Sequence, residues 1–183
     1  MNAYQRENRN KRLIQWIFGS MFFSFPSTYK MRLWAYGKLF QMGSEPIIED
    51  NVWIHRTHGT DGRIEMGNRV LLARGASIDY TGGVRLGNNV VLSDGAMIYS
   101  HAHDPLCPRS KIIKKTPLHV CDDAWICARA MIMPGVEYIG CGAIISPGSV
   151  VYKRVPDYGV VRGNPARLVA VVSPEARKAE ESQ

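Results

Sequence analysis

From Leu86 to Ile98 an aliphatic residue returns every six positions, at Leu86, Leu92 and Ile98, and a small residue stands four places after each, at Val90, Ala96 and Ala102. A helix repeats its apolar positions at 3.6 and a strand at 2, so a step of six fits neither alone. It fits a coil in which each unit is one short strand and one bend. Three units close a triangular turn, with the aliphatic residue on the axis and the small one in the adjoining bend. Stacked turns then bury a core that no single turn could bury.

The step runs backwards from Val84 through Ile78, Leu72, Met66, Thr60, Ile54 and Ile48, with Thr60 its polar member. Two residues slip in before Leu86. After Ile98 the phase is lost across a polar stretch, and it returns at Val120, Ile126 and Ile132. One more slip near Tyr138 precedes Ile139, Ile145 and Val151. Small or β-branched partners include Val70, Ala76, Ala124, Ala130, Val136, Ala143 and Ser149. Glycine follows the inward residue at Gly67, Gly87 and Gly140, where a bend without Cβ costs least. An antiparallel sandwich would instead alternate at two, with turn signals every 8–12 residues. The pattern predicts a mostly β chain: a parallel β-helix of hexapeptide repeats over 46–170, with an excursion loop at 104–118.

The ends do not follow the repeat. Residues 1–45 read as a helical cap and 171–183 as a tail, in which EARKAEES after Pro174 predicts a short polar helix. The thirteen-residue apolar run Leu13–Phe25 is too short to span a bilayer. The basic residues before it have the look of a signal peptide, but no A-x-A-like site follows. It reads better as an apolar helix shielding the open end of the coil. A weak membrane-surface contact through Trp16, Phe18, Phe22 and Phe23 is a secondary expectation. Pro26 and Ser27 break the chain, and Tyr29–Met42 predicts a second helix closed by Gly43.

Charge adds a partner class. Lys and Arg number 23 against 16 acids, a net charge of +7 over 183 residues. That suits an anionic ligand such as a nucleotide phosphate tail, or an acidic membrane face. No zinc finger, helix-turn-helix or aromatic RNA-binding signature occurs, so nucleic acid is not an expected partner. Cys107, Cys121, Cys127 and Cys141 form no CxxC, which argues against a zinc site. A reduced, cytoplasmic protein is the simplest reading.

LGNNVVLSDGAMI, AWICARAMIMPGV and ISPGSVVYKRVPDYGVVRGNPARLV resemble the hexapeptide-repeat acyltransferases. The likeness covers roughly residues 45 to 170 and is strongest to the branch with galactoside, maltose and polysaccharide O-acetyltransferases. It implies a left-handed coil, against the usual crossover rule. It also implies a homotrimer with each site between two subunits, and acetyl-coenzyme A as co-substrate. The family's histidine falls five places after an inward residue, which makes His103, after Ile98, the expected base. His101 is its competitor, or a ligand for the acceptor. Acyl transfer to a hydroxyl needs such a base, and imidazole titrates near neutral pH.

For the coenzyme, Trp125 matches the tryptophan of the family's NVWIG and Ala128 lies three residues on, while Cys127 replaces the usual glycine. Pro147, Gly148 and Ser149 are expected on the same wall two turns later. Lys153 and Arg167 match basic positions near the phosphates, with Tyr152 in place of a common small residue. Subunit packing for Trp125 and plain solvated charge for Lys153 and Arg167 are the bland alternatives. The same holds for the basic 104–118 loop, whose place after His103 favours a part in covering the acceptor. Asp79 and Asp104 are candidate acceptor ligands, Asp79 with a turn-forming alternative. His55, His58 and His119 read as surface residues, with a place for one of them in the cleft as the alternative, and no metal site is expected.

The resemblance implies acetyl transfer to a sugar hydroxyl in surface polysaccharide or lipopolysaccharide assembly, without an acyl-enzyme. N-acetylation of an amino sugar or antibiotic is the nearest alternative. A carbonic anhydrase on the same coil would need three imidazoles on one metal, and the H-x-H spacing is wrong for that.

Overall fold

The computed structural model describes residues 3–57, 60–104, 106 and 112–172. Each turn of its coil uses three short strands. The first turn holds β1 (Gln41–Met42), β2 (Ile47–Ile48) and β3 (Trp53–His55). The second holds β4 (Ile64–Met66), β5 (Leu71–Leu72) and β6 (Ser77–Asp79). The third holds β7 (Val84–Leu86), β8 (Val91–Leu92) and β9 (Met97–Ile98). An antiparallel hairpin of β10 (His101–His103) and β11 (Ile112–Lys115) then leaves the coil. The fourth turn is β12 (Leu118–Val120), β13 (Trp125–Ile126) and β14 (Met131–Ile132); the fifth is β15 (Tyr138–Ile139), β16 (Ile144–Ile145) and β17 (Val150–Val151). β18 (Gly159–Gly163) opens a sixth, and β19 (Ala166–Val171) folds back antiparallel on it.

Strands of successive turns stack in parallel into three faces: face A from β1, β4, β7, β12 and β15, face B from β2, β5, β8, β13, β16 and β18, and face C from β3, β6, β9, β14 and β17. This is the left-handed parallel β-helix. The register sets each inward residue on the one below: Ile48, Leu72, Leu92, Ile126 and Ile145 in face B, and Ile54, Ile78, Ile98, Ile132 and Val151 in face C. None of these is more than 2% exposed. Burial of each stabilises by roughly 1.5–3 kcal/mol, and the column is the core.

The A–B and B–C corners explain the small residues. Each takes four residues, and the third is left-handed, from Arg69 at φ 52° to Gly75 at φ 70°. The fourth turns inward: Val70, Ala76, Val90, Ala96, Ala124, Ala130 and Ala143 are at most 1% exposed. Gly67 and Gly87 serve close stacking as much as the bend. A Cβ on Gly67 would stand 2.7 Å from the Gly87 backbone, and one on Gly87 would stand 2.2 Å from the Asp122 carboxylate.

Two expected rungs are absent from the coil. Thr60 lies in an excursion between β3 and β4, where its hydroxyl donates to the Thr81 carbonyl at 2.9 Å. Met66 falls twelve residues after Ile54, twice the step, so the phase survives without a rung. Ala102 is half-buried in β10 rather than in a bend. The excursion begins at His101, ahead of the expected 104, and its described part is a hairpin.

The cap consists of α1 (Ala3–Phe18), a 3-10 turn at Met21–Ser24 and α2 (Pro26–Leu39). Pro26 opens α2 instead of breaking the chain, because its fixed φ suits the first turn. The helix stops at Leu39, and Gln41 already pairs in β1, so Gly43 belongs to a coil corner. Arg32, fully buried, holds the cap together by donating to the carbonyls of Phe18, Ser20 and Ile48 and to Ser24 Oγ. Gln15 both donates to the Ile54 carbonyl and accepts from the Ile54 amide. Tyr36 donates to the Val52 carbonyl at 2.9 Å. Burial pushes its phenol up to about 12, against a smaller pull from Arg32. Tyr36 and Phe40 close the coil, while Trp16, Phe22, Phe25 and Trp34 face outward. Within the run Leu13–Phe25 only Gln15 and Gly19 are buried, so the coil end is covered by Tyr36 and Phe40 and not by the apolar side chains of that run.

Cys121 and Cys141, on adjacent turns, are joined as a disulfide, which corrects the reduced reading for that pair. Cys127 is buried and free. Cys107, His58 and the expected C-terminal helix lie outside the described residues.

Candidate active site

The C–A corner gathers the polar side chains. β6 ends at Asp79, which is fully buried. Its Oδ1 accepts from the Thr81 amide at 3.0 Å and from the Thr81 hydroxyl. Its Oδ2 accepts from the Ser100 amide at 3.1 Å and faces His101 Nδ1 at 2.5 Å. Burial opposes ionisation, but the bonds from Thr81 and His101 outweigh it and hold the carboxyl below the usual carboxylate range. The Asp79 carboxylate is thus turned to Thr81, Ser100 and His101 and away from solvent, where an acceptor was expected to meet it. It orients His101.

From His101 the polar chain continues outward. His101 Nε2 lies 2.9 Å from His103 Nε2 and 3.4 Å from Thr57 Oγ1. The Thr57 amide in turn donates to Thr81 Oγ1 at 2.9 Å. His101 is mostly buried, with 12% of its side chain exposed, whereas His103 is exposed. Against the ionised Asp79 carboxylate, His101 Nδ1–H donates, and a neutral His101 then accepts at Nε2 from His103 Nε2–H. Asp104 Oδ1 accepts from the Leu106 amide at 2.9 Å.

Thr57, Thr81 and Ser100 went unmarked in the sequence. The signal that could have found them is the length of a turn, since Ser100 and His101 follow Asp79 by 21 and 22 residues. His55 also belongs here rather than on the surface. Its strand partner is Asp79, its Nδ1 is buried without a hydrogen-bond partner, and burial lowers its pKa. His119 is exposed on face A. Among the described residues no group of three or more His, Cys, Asp or Glu is placed to hold a metal.

The expected coenzyme positions fall in two places, neither beside the imidazoles. Trp125 projects from face B, 47% exposed, and donates through Nε1 to Ser93 Oγ at 2.8 Å. Ala128, Pro147 and Gly148 line the B–C corner; the Gly148 amide donates to the Ala128 carbonyl at 3.0 Å, so they stack one turn apart rather than two. Ser149 is buried and its hydroxyl accepts from the Gly163 amide at 3.1 Å, which ties it to the last hairpin. Lys153 and Arg167 share a cleft of about 280 Å³ at the end of the coil. Within one chain, face C separates the B–C wall from the imidazole pair.

No protein-family profile matches the chain. A segment of it is 48% identical over 48 residues to a chloramphenicol acetyltransferase of Klebsiella aerogenes, covering 26% of this chain and 22% of that protein. The match thus spans about a fifth of the relative's length. Solved structures agree over nearly the whole chain. A hexapeptide-repeat-containing acetyltransferase of Vibrio cholerae, complexed with acetyl coenzyme A, has a TM-score of 0.78 at 19% identity, covering 92% of this chain and 88% of that one. A galactoside acetyltransferase in complex with coenzyme A scores 0.75 at 19% identity, covering 97% and 86%. A maltose O-acetyltransferase of Clostridium difficile scores 0.69 at 24% identity, covering 94% and 90%. The fold is that of the hexapeptide-repeat acetyltransferases.

Proposed function

We propose that this chain is an acetyl-coenzyme A-dependent O-acetyltransferase acting on a sugar hydroxyl, in the assembly of a surface polysaccharide or lipopolysaccharide. The observation that carries the reading is the Asp79–His101–His103 array, at the one corner where the coil opens. The acceptor hydroxyl gives its proton to the His103 imidazole as its oxygen attacks the thioester carbonyl. The C–S bond then breaks, and the imidazolium returns the proton to the departing sulfur. His101 holds His103 by the Nε2 contact, and Asp79 holds His101 in turn. No acyl-enzyme is formed. The acetyl and coenzyme A complexes of the Vibrio cholerae and galactoside enzymes support the donor.

A homotrimer goes with this reading. The outer column of face B is apolar throughout: Ile47, Leu71, Val91, Trp125, Ile144 and Val160. That of face A is polar: Gln41, Glu65, Arg85, His119 and Tyr138. A second copy against the apolar column would also bring a coenzyme wall to the imidazoles, which one chain keeps apart. A cytoplasmic site of action goes with the donor, although the Cys121–Cys141 disulfide is more at home in an oxidising compartment.

The test is release of free thiol from acetyl-coenzyme A with a panel of sugars, amino sugars and chloramphenicol. A sugar-dependent signal that disappears in His103→Ala supports the proposal. Turnover with amino sugars alone replaces O- by N-acetylation, and none with any acceptor sinks it.

A further inference from the structure

The positive charge of this protein is not spread over it. Residues 1–42 carry seven basic residues against the single Glu7, which accounts for +6 of the net +7. The same stretch carries the largest cluster of outward apolar side chains. Trp16 is 74% exposed, Met21 65%, Phe22 63%, Trp34 62%, Phe25 60% and Leu13 53%. On α1, the exposed Arg9, Arg12, Leu13, Trp16 and Ile17 follow one another at helical spacing and form one stripe. On α2, Lys30, Met31, Trp34 and Lys38 do the same. Phe18 joins the two, with its ring 6.4 Å from Trp34 and 4.8 Å from Phe23. The opposite sides of both helices are spent on the coil, through Gln15, Arg32 and Tyr36.

We propose that the outer face of the cap docks on an anionic lipid bilayer, with Trp16, Phe22, Phe25 and Trp34 in the interfacial zone and Arg9, Arg12, Lys30 and Lys38 against the headgroups. Charge decides the occupant. A second copy would bring another strongly positive face to this one and be repelled, whereas an acidic headgroup layer is complementary. Aromatic rings beside cations are what an interfacial helix needs, and no described helix is long and apolar enough to cross a membrane, so the cap lies on the surface. α1 also reaches the active corner: Asn8 donates to the Arg56 carbonyl at 3.3 Å, and the neighbouring Thr57 faces His101. The helix that would lie on the lipid thus flanks the site. The docking stands whether or not the chain transfers acetyl groups.

The test is flotation of the full chain with vesicles of phosphatidylcholine alone, and of phosphatidylcholine with a third phosphatidylglycerol. Binding to the anionic vesicles should exceed binding to the neutral ones at least about tenfold and should fall with salt. Arg9→Glu with Arg12→Glu and Lys30→Glu should lower it by a further tenfold or more. Trp16→Ser with Phe22→Ser and Trp34→Ser should abolish it, with the circular dichroism spectrum and melting temperature kept, since these side chains fill no core. Absence of flotation by the wild type overturns the proposal. So does equal binding to both vesicles, or a triple serine variant that floats like the wild type. Wild-type self-association that the serine variant lacks, without flotation, would assign the face to a second copy instead.

Discussion

Two kinds of corner divide this coil. From the second turn to the fifth the A–B and B–C corners keep one design, with four residues, the third left-handed and the fourth small and inward. The C–A corner keeps none. It holds residues 56–63 between β3 and β4, 80–83 between β6 and β7, 99–117 between β9 and β12, and 133–137 between β14 and β15. The described hydrogen bonds of the imidazole pair lie entirely at this third edge. The difference has a mechanical reason. A residue added at a fixed corner would throw the inward position of the next strand outward, because side chains alternate along it. An excursion that returns to the same rung changes nothing below or above. Length, and with it chemistry, can accumulate only where the coil does not need the chain for its stack.

The largest effect should come from removing the chemistry while the stack stays intact. His103 is exposed and fills no core, so His103→Ala should lower kcat by roughly 10²–10⁴, the usual worth of a general base, with the melting temperature unchanged. Steady-state thiol release and a thermal scan on the same preparation check both halves. His101→Ala should show a smaller loss in kcat. An opposite ranking of the two would make His101 the base.

Asp79 sits where the two kinds of structure meet, buried in the stack yet aimed at the corner. Asp79→Asn keeps the volume but not the charge that fixes the His101 tautomer, and should cost about 10- to 100-fold in kcat, the scale of a misplaced catalytic group. It should also alter the acid limb of stability. The folded pKa of Asp79 is depressed. Its contribution is therefore present above the ordinary carboxylate value and is lost as pH falls through the lower folded value. The wild type should lose stability below about pH 4 more steeply than the variant. His55 acts in the same direction higher up. Its pKa is lowered by burial, so stability should decline as pH falls below the ordinary imidazole value near 6.5. Chemical denaturation at a series of pH values separates the two steps.

The same division decides what could be read in the sequence. The fixed corners repeat, and repetition is legible: Leu72, Leu92 and Ile126, and the small Ala76, Ala96 and Ala130, stand in the coil where the six-step puts them. The variable corner does not repeat, so spacing misleads there. Thr60 keeps phase only because its excursion is a whole number of steps, and Ala102 falls on a small-residue position after the coil has been left. The pairing of Asp79 with His101 joins residues one full turn apart, whose distance depends on corner lengths that composition does not reveal. In the cap, apolar residues were visible but their direction was not. Gln15 and Arg32, two polar residues, turn inward and so send Trp16 and Trp34 outward.

A gentler test sharpens the comparison along the coil. Lys153 follows the last face C strand and shares its cleft with Arg167. Both are exposed, so screening limits their worth. Lys153→Ala with Arg167→Ala should raise the KM for acetyl-coenzyme A by about three- to tenfold, with acceptor KM nearly unmoved. An unchanged coenzyme KM would return both to solvated charge.

The smallest effect tests the fixed corners themselves and should differ in sign between two turns of one edge. Gly95 and Arg129 are the left-handed residues of successive B–C corners, at φ 65° and 57°. Glycine adopts this conformation without penalty, whereas a side chain pays roughly 1–2 kcal/mol there. Against that, glycine frees the unfolded chain and loses about 0.4–1 kcal/mol. Arg129 is exposed, so Arg129→Gly should raise stability by about 0.5–1 kcal/mol, the difference of the two. Gly95→Ala should lower it by about the same amount. A Cβ at Gly95 meets only Arg129 Cγ, at 3.5 Å, so strain rather than crowding sets the cost. Urea midpoints at constant slope report both values. If the two substitutions shift stability in the same direction, the corners are not equivalent sites of one design, and the contrast with the third edge loses its basis.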